Sequence, residues 1–141
     1  ICRSPMAEAV FRHLVKEEQL ADKIEVDSAG TASWHIGKLP HQGTRDILKR
    51  HQISDEGIKA RQVTQRDWED FHYIIVMDDQ NMNDLKTNFA MKDQVIVKKL
   101  LDFVPQADVA NVPDPYYTGD FEETYKLVYS GCQALLTHIR M

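Results

Sequence analysis

Hydrophobic positions in this chain follow a helical spacing in some stretches and a strand-like spacing in others. Near the start, Met6, Val10 and Leu14 recur every four residues, which predicts an amphipathic helix over residues 5–18. Residues 73–77 are continuously apolar, and a run of that length is typical of a parallel strand buried on both faces. The chain therefore mixes helices with buried strands.

Further elements follow from the same spacings and from helix-capping signals. Additional helices are predicted over residues 41–50, over residues 79–88, after the capping-box pair Thr64 and Asp67, and after the pair Asp120 and Glu123. Additional strands are predicted over residues 24–27 and 95–97, with loops over residues 28–39 and 104–119. Helices that alternate with strands predict an α/β domain, in which helices cover both faces of a parallel sheet.

Composition narrows the class of protein. At 141 residues, the chain is expected to form one domain over residues 1–141. The net charge of −5 and the scattered lysines and arginines argue against nucleic acid as a partner. No apolar run approaches the length of about 20 residues that a membrane helix needs. Two cysteines suggest a reducing compartment, and no spacing of histidines or acids indicates a metal or another cofactor.

The first five residues, Ile1-Cys2-Arg3-Ser4-Pro5, have the pattern of an anion-binding loop that leads into a helix. Arg3 offers a planar fork of N–H donors. Ser4 is a favourable helix N-cap, and Pro5 suits the first helical position because its missing N–H costs nothing there. Parallel sheets bind ligands at the carboxyl ends of their strands, which is where such a loop would lie.

Three separated segments carry a family resemblance: I-C-R-S-P-M-A-E-A at residues 1–9, D-S-A-G-T at residues 27–31 and V-P-D-P-Y-Y at residues 112–117. Together with Y-I-I-V-M-D at residues 73–78, they resemble the low-molecular-weight protein tyrosine phosphatases along essentially the whole chain. The resemblance implies a single three-layer domain with a four-stranded parallel sheet, whose first strand precedes Ile1. It also implies a cytoplasmic enzyme that hydrolyses protein phosphotyrosine through a phosphocysteine intermediate.

The cysteine nucleophile of that family is not among the printed residues. The family loop reads C-x5-R-S, and counting back six positions from Arg3 leads ahead of Ile1. Cys2 does not fit the pattern because position 8 is Glu8, and Cys132 does not fit because position 138 is His138. We therefore expect the protein to extend ahead of Ile1, and Cys132 to be a core residue.

Three residues are implied to carry the chemistry. Arg3 would clamp the phosphoryl oxygens as charge develops on them, and the Ser4 hydroxyl would stabilise the attacking thiolate. Asp114 lies between two prolines that restrict its backbone, and the resemblance implies that it is the general acid and base. From the residues alone, a turn aspartate is the better explanation of Asp114. Asp78, at the end of the apolar run, is expected to hold loops in place.

The resemblance also implies the contacts around the substrate. Ile1 and Cys2 would bind the phosphate together with Arg3. In the family, isoleucine at the position of Ile1 marks phosphotyrosine enzymes and threonine marks phosphoarginine enzymes. Cys2 would either form a reversible disulfide with the nucleophile or be a small buried side chain. Trp34, Tyr116 and Tyr117 would wall the slot for the tyrosine ring, although each could also be structural.

Alternative functions remain at this stage. Arsenate reduction uses the same fold but needs two further cysteines downstream, where only Cys132 is present. A phosphoarginine phosphatase would also share the fold. A catalytically inactive module that binds phosphate or phosphotyrosine would fit a loop without a nucleophile, yet the negative charge of Asp114 would then repel the ligand. Phosphotyrosine proteins are the expected partners, with a cognate tyrosine kinase as a further candidate.

The expected extension ahead of Ile1 has a direct test. The printed residues have a mass of 16.3 kDa. We expect the protein purified from its natural source to have a larger intact mass by mass spectrometry, since the loop and its preceding strand need more residues. An intact mass close to 16.3 kDa would contradict the expectation.

Overall fold

The computed structural model describes residues 3–30, 36–105 and 107–140. Within these ranges the chain forms α-helices, one 3-10 helix and two strands. In chain order the elements are α1 (Arg3–Glu17), α2 (Gln42–Arg50), α3 (Asp67–Asp70), β1 (Tyr73–Val76), α4 (Asp79–Asn88), β2 (Ile96–Lys99), the 3-10 helix (Leu100–Phe103), α5 (Pro115–Thr118) and α6 (Phe121–Arg140).

The two strands form a parallel pair, and α4 is the crossover that a parallel connection requires. Successive side chains of β1 point to opposite faces. Tyr73 and Ile75 pack against the larger of two hydrophobic clusters, whereas Ile74 and Val76 belong to the smaller one. Helices therefore cover both faces of the sheet, as the alternating sequence pattern predicts.

The larger cluster lies between the sheet and helices α1, α2 and α6. Its most buried members include Met6 and Val10 from α1, Leu48 from α2 and Val128 from α6. Each such side chain contributes about 1.5–3 kcal/mol to stability through burial. Cys132 lies in the same cluster, and complete burial raises the pKa of its thiol well above the ordinary value. The prediction that Cys132 is a core residue is confirmed.

The smaller cluster packs α3 and α4 against the other face of the sheet. Trp68 is buried there with Val76, Leu85 and Val95. The Trp68 ring stacks on Phe89 with ring centroids 5.0 Å apart. A four-residue helix has little stability of its own, so this tryptophan fixes α3 beneath β1.

The prediction of a strand over residues 24–27 is wrong. Burial alternates along this stretch, with Ile24 and Val26 packed against the larger cluster and Glu25 and Asp27 exposed. A strand also needs a ladder of hydrogen bonds to a neighbour. Among the described residues, the only bridge nearby is an isolated one from Gly30 to Gln62. The described part of the chain therefore has a two-stranded sheet, and the expected four-strand count is not found there.

Several predicted boundaries also need correction. Helix α1 begins at Arg3, so Ser4 and Pro5 lie inside its first turn and Ser4 is not the N-cap. Proline is tolerated in a first turn because those N–H groups lack helical partners. The pair Thr64 and Asp67 does form its hydrogen bond, at 2.9 Å, but α3 begins only at Asp67. Residues 104–119, predicted as a loop, contain α5.

A polar pair ties the first motif segment to the second. The Ser28 hydroxyl donates to the Glu8 carboxylate at 2.5 Å, and the Glu8 side chain is only 10% exposed. Burial raises the pKa of the Glu8 carboxyl, while the hydrogen bond from Ser28 opposes the rise and the nearby charge of Asp27 adds to it. Glu8 therefore holds α1 against residue 28 at some electrostatic cost.

We expect Gly131→Val to lower the free energy of unfolding by about 1–3 kcal/mol, the usual cost of overpacking. A Cβ at Gly131 would lie 2.4 Å from Cγ of the buried Leu100, so α6 would be pushed from the 3-10 helix. Urea denaturation measures the loss. Ser130→Val, at an exposed neighbouring position in α6, is the control and should change stability by about 0.5 kcal/mol or less. Equal effects of the two substitutions would contradict the packing argument.

We expect Glu8→Gln to stabilise the protein more at pH 7 than at pH 4. Because the pKa of Glu8 is raised on folding, the folded state holds this proton more tightly than the unfolded chain. The free energy of unfolding of the wild type therefore falls as pH rises from about 4.3 through the folded pKa of Glu8. Glutamine does not titrate, so the variant lacks this fall, and its amide oxygen can still accept from the Ser28 hydroxyl. Thermal unfolding across this pH range measures the difference, with exposed Glu25→Gln as the control. A gain that does not depend on pH would overturn the assignment.

Candidate active site

Residues from three distant parts of the sequence meet where β1 ends. Arg3 comes from the start of α1, Asp78 from the turn between β1 and α4, and Asp114 from the segment before α5. The carboxyl end of a parallel strand is where ligands bind in α/β sheets. The structure thus places two of the predicted site residues, Arg3 and Asp114, beside each other.

The Arg3 guanidinium is held through one of its two terminal nitrogens. Its Nη1 atom donates to Asp78 Oδ2 at 2.5 Å and to the Val112 carbonyl oxygen at 2.8 Å, and the side chain is 13% exposed. These two bonds use both N–H groups of Nη1. The N–H groups on Nε and Nη2 make no hydrogen bond to the described residues. Arg3 is therefore fixed in orientation and keeps donors for an anionic ligand.

Asp78 joins the strand end to the helix that follows it. As the N-cap of α4, its Oδ1 accepts from the Asn81 backbone N–H at 2.8 Å, while Oδ2 faces Arg3. The Asn81 side chain makes a second hydrogen bond across this turn, since its Oδ1 accepts from the Met77 N–H at 3.1 Å. Both carboxylate oxygens of Asp78 are thus engaged, in agreement with the expectation that it holds loops in place.

Asp114 is the N-cap of α5, with Pro115 at the first helical position. Its Oδ1 accepts from the Tyr116 backbone N–H at 3.0 Å, which fixes the plane of the carboxylate. Its Oδ2 lies 3.7 Å from Arg3 Nη2, and the side chain is 31% exposed. One oxygen is therefore held by the backbone, and the other faces the cation and can be reached by a ligand.

The residues just before Asp114 are attached to the sheet. Val112 is buried, and its N–H donates to the Met77 carbonyl oxygen at 2.9 Å. The Asn111 side chain contacts Asp79 at the start of α4 and Lys99 at the end of β2. The sequence reasoning missed these three polar residues. Asp79 could have been found from its place after an apolar strand, whereas Asn111 carries no local signal.

Aromatic side chains lie beside Asp114. Tyr116 and Tyr117 are 59% and 83% exposed, and their rings meet edge to face with centroids 5.3 Å apart. Tyr116 also lies edge-on to His41 at 6.0 Å, and His41 stacks on Phe121 at 5.3 Å. This exposed pair is suited to line one side of a slot for an aromatic group.

Other predicted site residues receive less support. Ile1, Cys2 and Trp34 lie outside the described residues, so their expected contacts stay predictions. Ser4 lies in the first turn of α1 and makes no side-chain hydrogen bond to the described residues. No three His, Cys, Asp or Glu side chains cluster as metal ligands in the part of the chain that the structure describes. Within the same ranges, no helix combines the length and apolarity needed to cross a membrane.

Comparison with known proteins places this geometry in a family. The family model for low molecular weight phosphotyrosine protein phosphatase matches residues 1–141. The low molecular weight protein-tyrosine-phosphatase YfkJ of Bacillus subtilis is 51% identical over 99% of this chain and 90% of its own length. The corresponding protein PtpA of Staphylococcus aureus is 43% identical over 99% of this chain and 87% of its own length.

Solved structures agree with the sequence matches. The YfkJ crystal structure has a TM-score of 0.96 and covers 99% of this chain and 88% of that one. A protein tyrosine phosphatase from Entamoeba histolytica, 30% identical, has a TM-score of 0.90 over 99% of this chain and 89% of its own. Sequence, fold and the meeting of Arg3 with Asp114 thus agree, and the chain belongs to the low molecular weight protein-tyrosine-phosphatase family.

Proposed function

We propose that this protein hydrolyses phosphotyrosine in proteins, with Arg3 as the phosphate clamp and Asp114 as the general acid and base. The observation that carries the proposal is the 3.7 Å approach of Asp114 Oδ2 to Arg3 Nη2 at the end of β1. The Nε and Nη2 N–H groups of Arg3 make no hydrogen bond to the described residues, and a phosphate held by them would have a carboxyl group beside its ester oxygen. The relatives YfkJ and PtpA, named as protein-tyrosine-phosphatases, support the same activity.

The first step transfers the phosphoryl group to a cysteine. The thiolate of the family loop, which the C-x5-R pattern puts ahead of Ile1, attacks phosphorus while the bond from phosphorus to the tyrosine oxygen breaks. Asp114 gives its proton to the departing oxygen. Since tyrosine has a pKa near 10, its oxygen is a poor leaving group without that proton. Arg3 stabilises the charge that builds on the equatorial oxygens, for which a bidentate fork suits better than an ammonium group.

The second step hydrolyses the phosphocysteine. Asp114, now ionised, accepts a proton from a water molecule as the water oxygen attacks phosphorus and the bond from phosphorus to sulfur breaks. Inorganic phosphate leaves, and the thiolate and the protonated Asp114 are restored. The same carboxyl group can act in both directions because one oxygen is held by the Tyr116 N–H and the other stays accessible.

The remaining predicted residues complete the proposal. Ile1 and Cys2 would bind phosphate through the loop, and Cys2 would protect the nucleophile by a reversible disulfide. The Ser4 hydroxyl would stabilise the thiolate. Trp34 would face Tyr116 and Tyr117 across the slot.

The proposal also covers the number of strands, the cellular location and the partners. The sheet would have four strands if a strand ahead of Ile1 gave residues 24–27 a neighbour with which to pair. The protein would act in the cytoplasm on phosphotyrosine proteins made by a cognate tyrosine kinase.

We expect Asp114→Asn to lower kcat on a phosphotyrosine peptide by about 10²–10⁴, the usual contribution of general acid catalysis. Asparagine keeps the acceptor for the Tyr116 N–H but cannot donate the same proton. Steady-state kinetics on the protein with all residues that precede Ile1 measure the change. Asp108→Asn, an exposed residue of the same loop, is the matched control and should leave kcat unchanged.

Other outcomes would select other functions. Binding of inorganic phosphate without turnover of any substrate would favour the inactive binding module. Faster turnover of phosphoarginine than of phosphotyrosine would reassign the substrate, and arsenate reduction in the same assay would reassign the reaction. An unchanged kcat in Asp114→Asn would remove the assigned role of that residue.

A further inference from the structure

Three polar side chains meet next to Asp78 and to the segment that leads to Asp114. Asp79 is the first residue of α4, Lys99 is the last residue of β2, and Asn111 lies three residues before Asp114. We call them the Asp79–Lys99–Asn111 cluster. Residues 111–114, which lead from the cluster to the proposed general acid, are called the acid loop.

The cluster fixes the Asn111 side chain from several directions. Asn111 Oδ1 accepts from the Asp79 backbone N–H at 3.1 Å and from Lys99 Nζ at 3.3 Å. Asn111 Nδ2 donates to Asp79 Oδ2 at 3.4 Å, and Lys99 Nζ lies 2.9 Å from Asp79 Oδ1. An amide can accept and donate at once, whereas a carboxylate only accepts. The Asn111 amide can therefore form hydrogen bonds with Asp79 and Lys99 at the same time.

The ion pair at the centre of the cluster stays charged over the pH range of an enzyme assay. The hydrogen bond from Lys99 and that from Asn111 lower the pKa of Asp79, and the pairing with Asp79 raises the pKa of Lys99. The Lys99 side chain is only 16% exposed, so its stem is largely packed even though Asp79 is open to solvent. Lys99 and Asp79 therefore stay oppositely charged while Asn111 bonds to both of them.

The acid loop connects the Asp79–Lys99–Asn111 cluster to Asp114. Directly after Asn111, the buried Val112 donates to the Met77 carbonyl oxygen and accepts from Arg3. Only Pro113 separates Val112 from Asp114, and the proline ring restricts the intervening backbone. Residues 111 and 112 are therefore held at the sheet edge, so little freedom remains for the carboxyl group.

We propose that Lys99 and Asn111 are positioning residues that set the Asp114 carboxyl group for proton donation. The inference rests on the proposed function, because it assumes that Asp114 is the general acid. General acid catalysis needs the donor within hydrogen-bond reach of the leaving oxygen, and small displacements are costly. Loosening residue 111 would move the acid while leaving Arg3 with its Asp78 contact.

The test compares two aryl phosphates whose leaving groups need very different amounts of proton donation. Phosphotyrosine has a poor leaving group, whereas 2,4-dinitrophenyl phosphate releases a phenolate that needs no proton. The quantity is kcat/KM, which covers the steps up to loss of the leaving group and excludes hydrolysis of the phosphocysteine. The enzyme carries all residues that precede Ile1.

For Lys99→Met and Asn111→Ala, we expect kcat/KM on phosphotyrosine to fall about tenfold, part of the 10²–10⁴ available to the acid. On 2,4-dinitrophenyl phosphate the change should be less than about twofold. Lys99→Arg, which keeps the charge, should recover most of the loss. Lys98→Met is the matched control, since Lys98 is exposed on the same strand, and it should behave as wild type.

The outcomes separate this inference from the proposed function. If Asp114→Asn slows the two substrates equally, the role of the acid itself fails. If Asp114→Asn discriminates between them while Lys99→Met and Asn111→Ala resemble wild type, only the positioning role is overturned. An equal loss on both substrates in these variants would show a merely structural role and would also overturn it. Each of the two variants decides independently should the other fail to fold.

Discussion

The pairing of Arg3 with Asp78 is the interaction on which the rest of the site depends. It joins the first turn of α1 to the end of β1, and the Arg3 guanidinium also donates to the Val112 carbonyl oxygen in the acid loop. The Arg3 side chain is 13% exposed, and a charge this far from water is costly unless an opposite charge compensates it. Asp78 supplies that charge and is itself fixed as the N-cap of α4.

The motif segments of the sequence divide into those to which we assign the chemistry and those that hold the helices in place. Under the proposed function, Arg3 and Asp114 belong to the first kind. The segment D-S-A-G-T belongs to the second, because Ser28 holds Glu8 of α1 and Asp27 accepts from Arg61 Nε at 3.0 Å. Arg61 also binds Asp67 with both terminal nitrogens, which raises the pKa of Arg61. These contacts hold the first helix and α3 in a common frame around the sheet.

The sequence predicts those elements whose cause is local. Residues 73–77 and 79–88 match β1 and α4 closely because the first segment is a continuous apolar run and a capping aspartate, Asp78, directly precedes the second. Residues 24–27 fail because a strand depends on a neighbour that local pattern does not reveal. Helix α5 is not predicted because four residues are too few to show the helical spacing of apolar positions. Its capping residues are nevertheless recognisable, since Asp114 and Pro115 are typical of a helix start and Gly119 of a helix end.

The candidate site is predictable to a similar degree and for similar reasons. Arg3 and Asp114 lie more than a hundred positions apart, so only the family resemblance brings them together in advance. Asn111 and Lys99 have neither a local pattern nor a motif, since their contacts with Asp79 arise only when α4, β2 and the acid loop meet. Polar side chains whose partners are distant in the sequence are the ones that single-sequence reasoning is least able to identify.

The contacts of Arg3 also explain how an acid can lie beside a guanidinium and stay available. A carboxylate that faces arginine freely tends to form a bidentate pair, which would occupy both oxygens. Here Asp78 and Val112 occupy Nη1, while the Tyr116 N–H holds Asp114 Oδ1. Asp114 is left with one oxygen near Nη2 at 3.7 Å, beyond hydrogen-bonding distance. Because Asp78 satisfies the charge of Arg3, Asp114 need not. Its second oxygen makes no hydrogen bond to the described residues, as the proposed proton transfer requires.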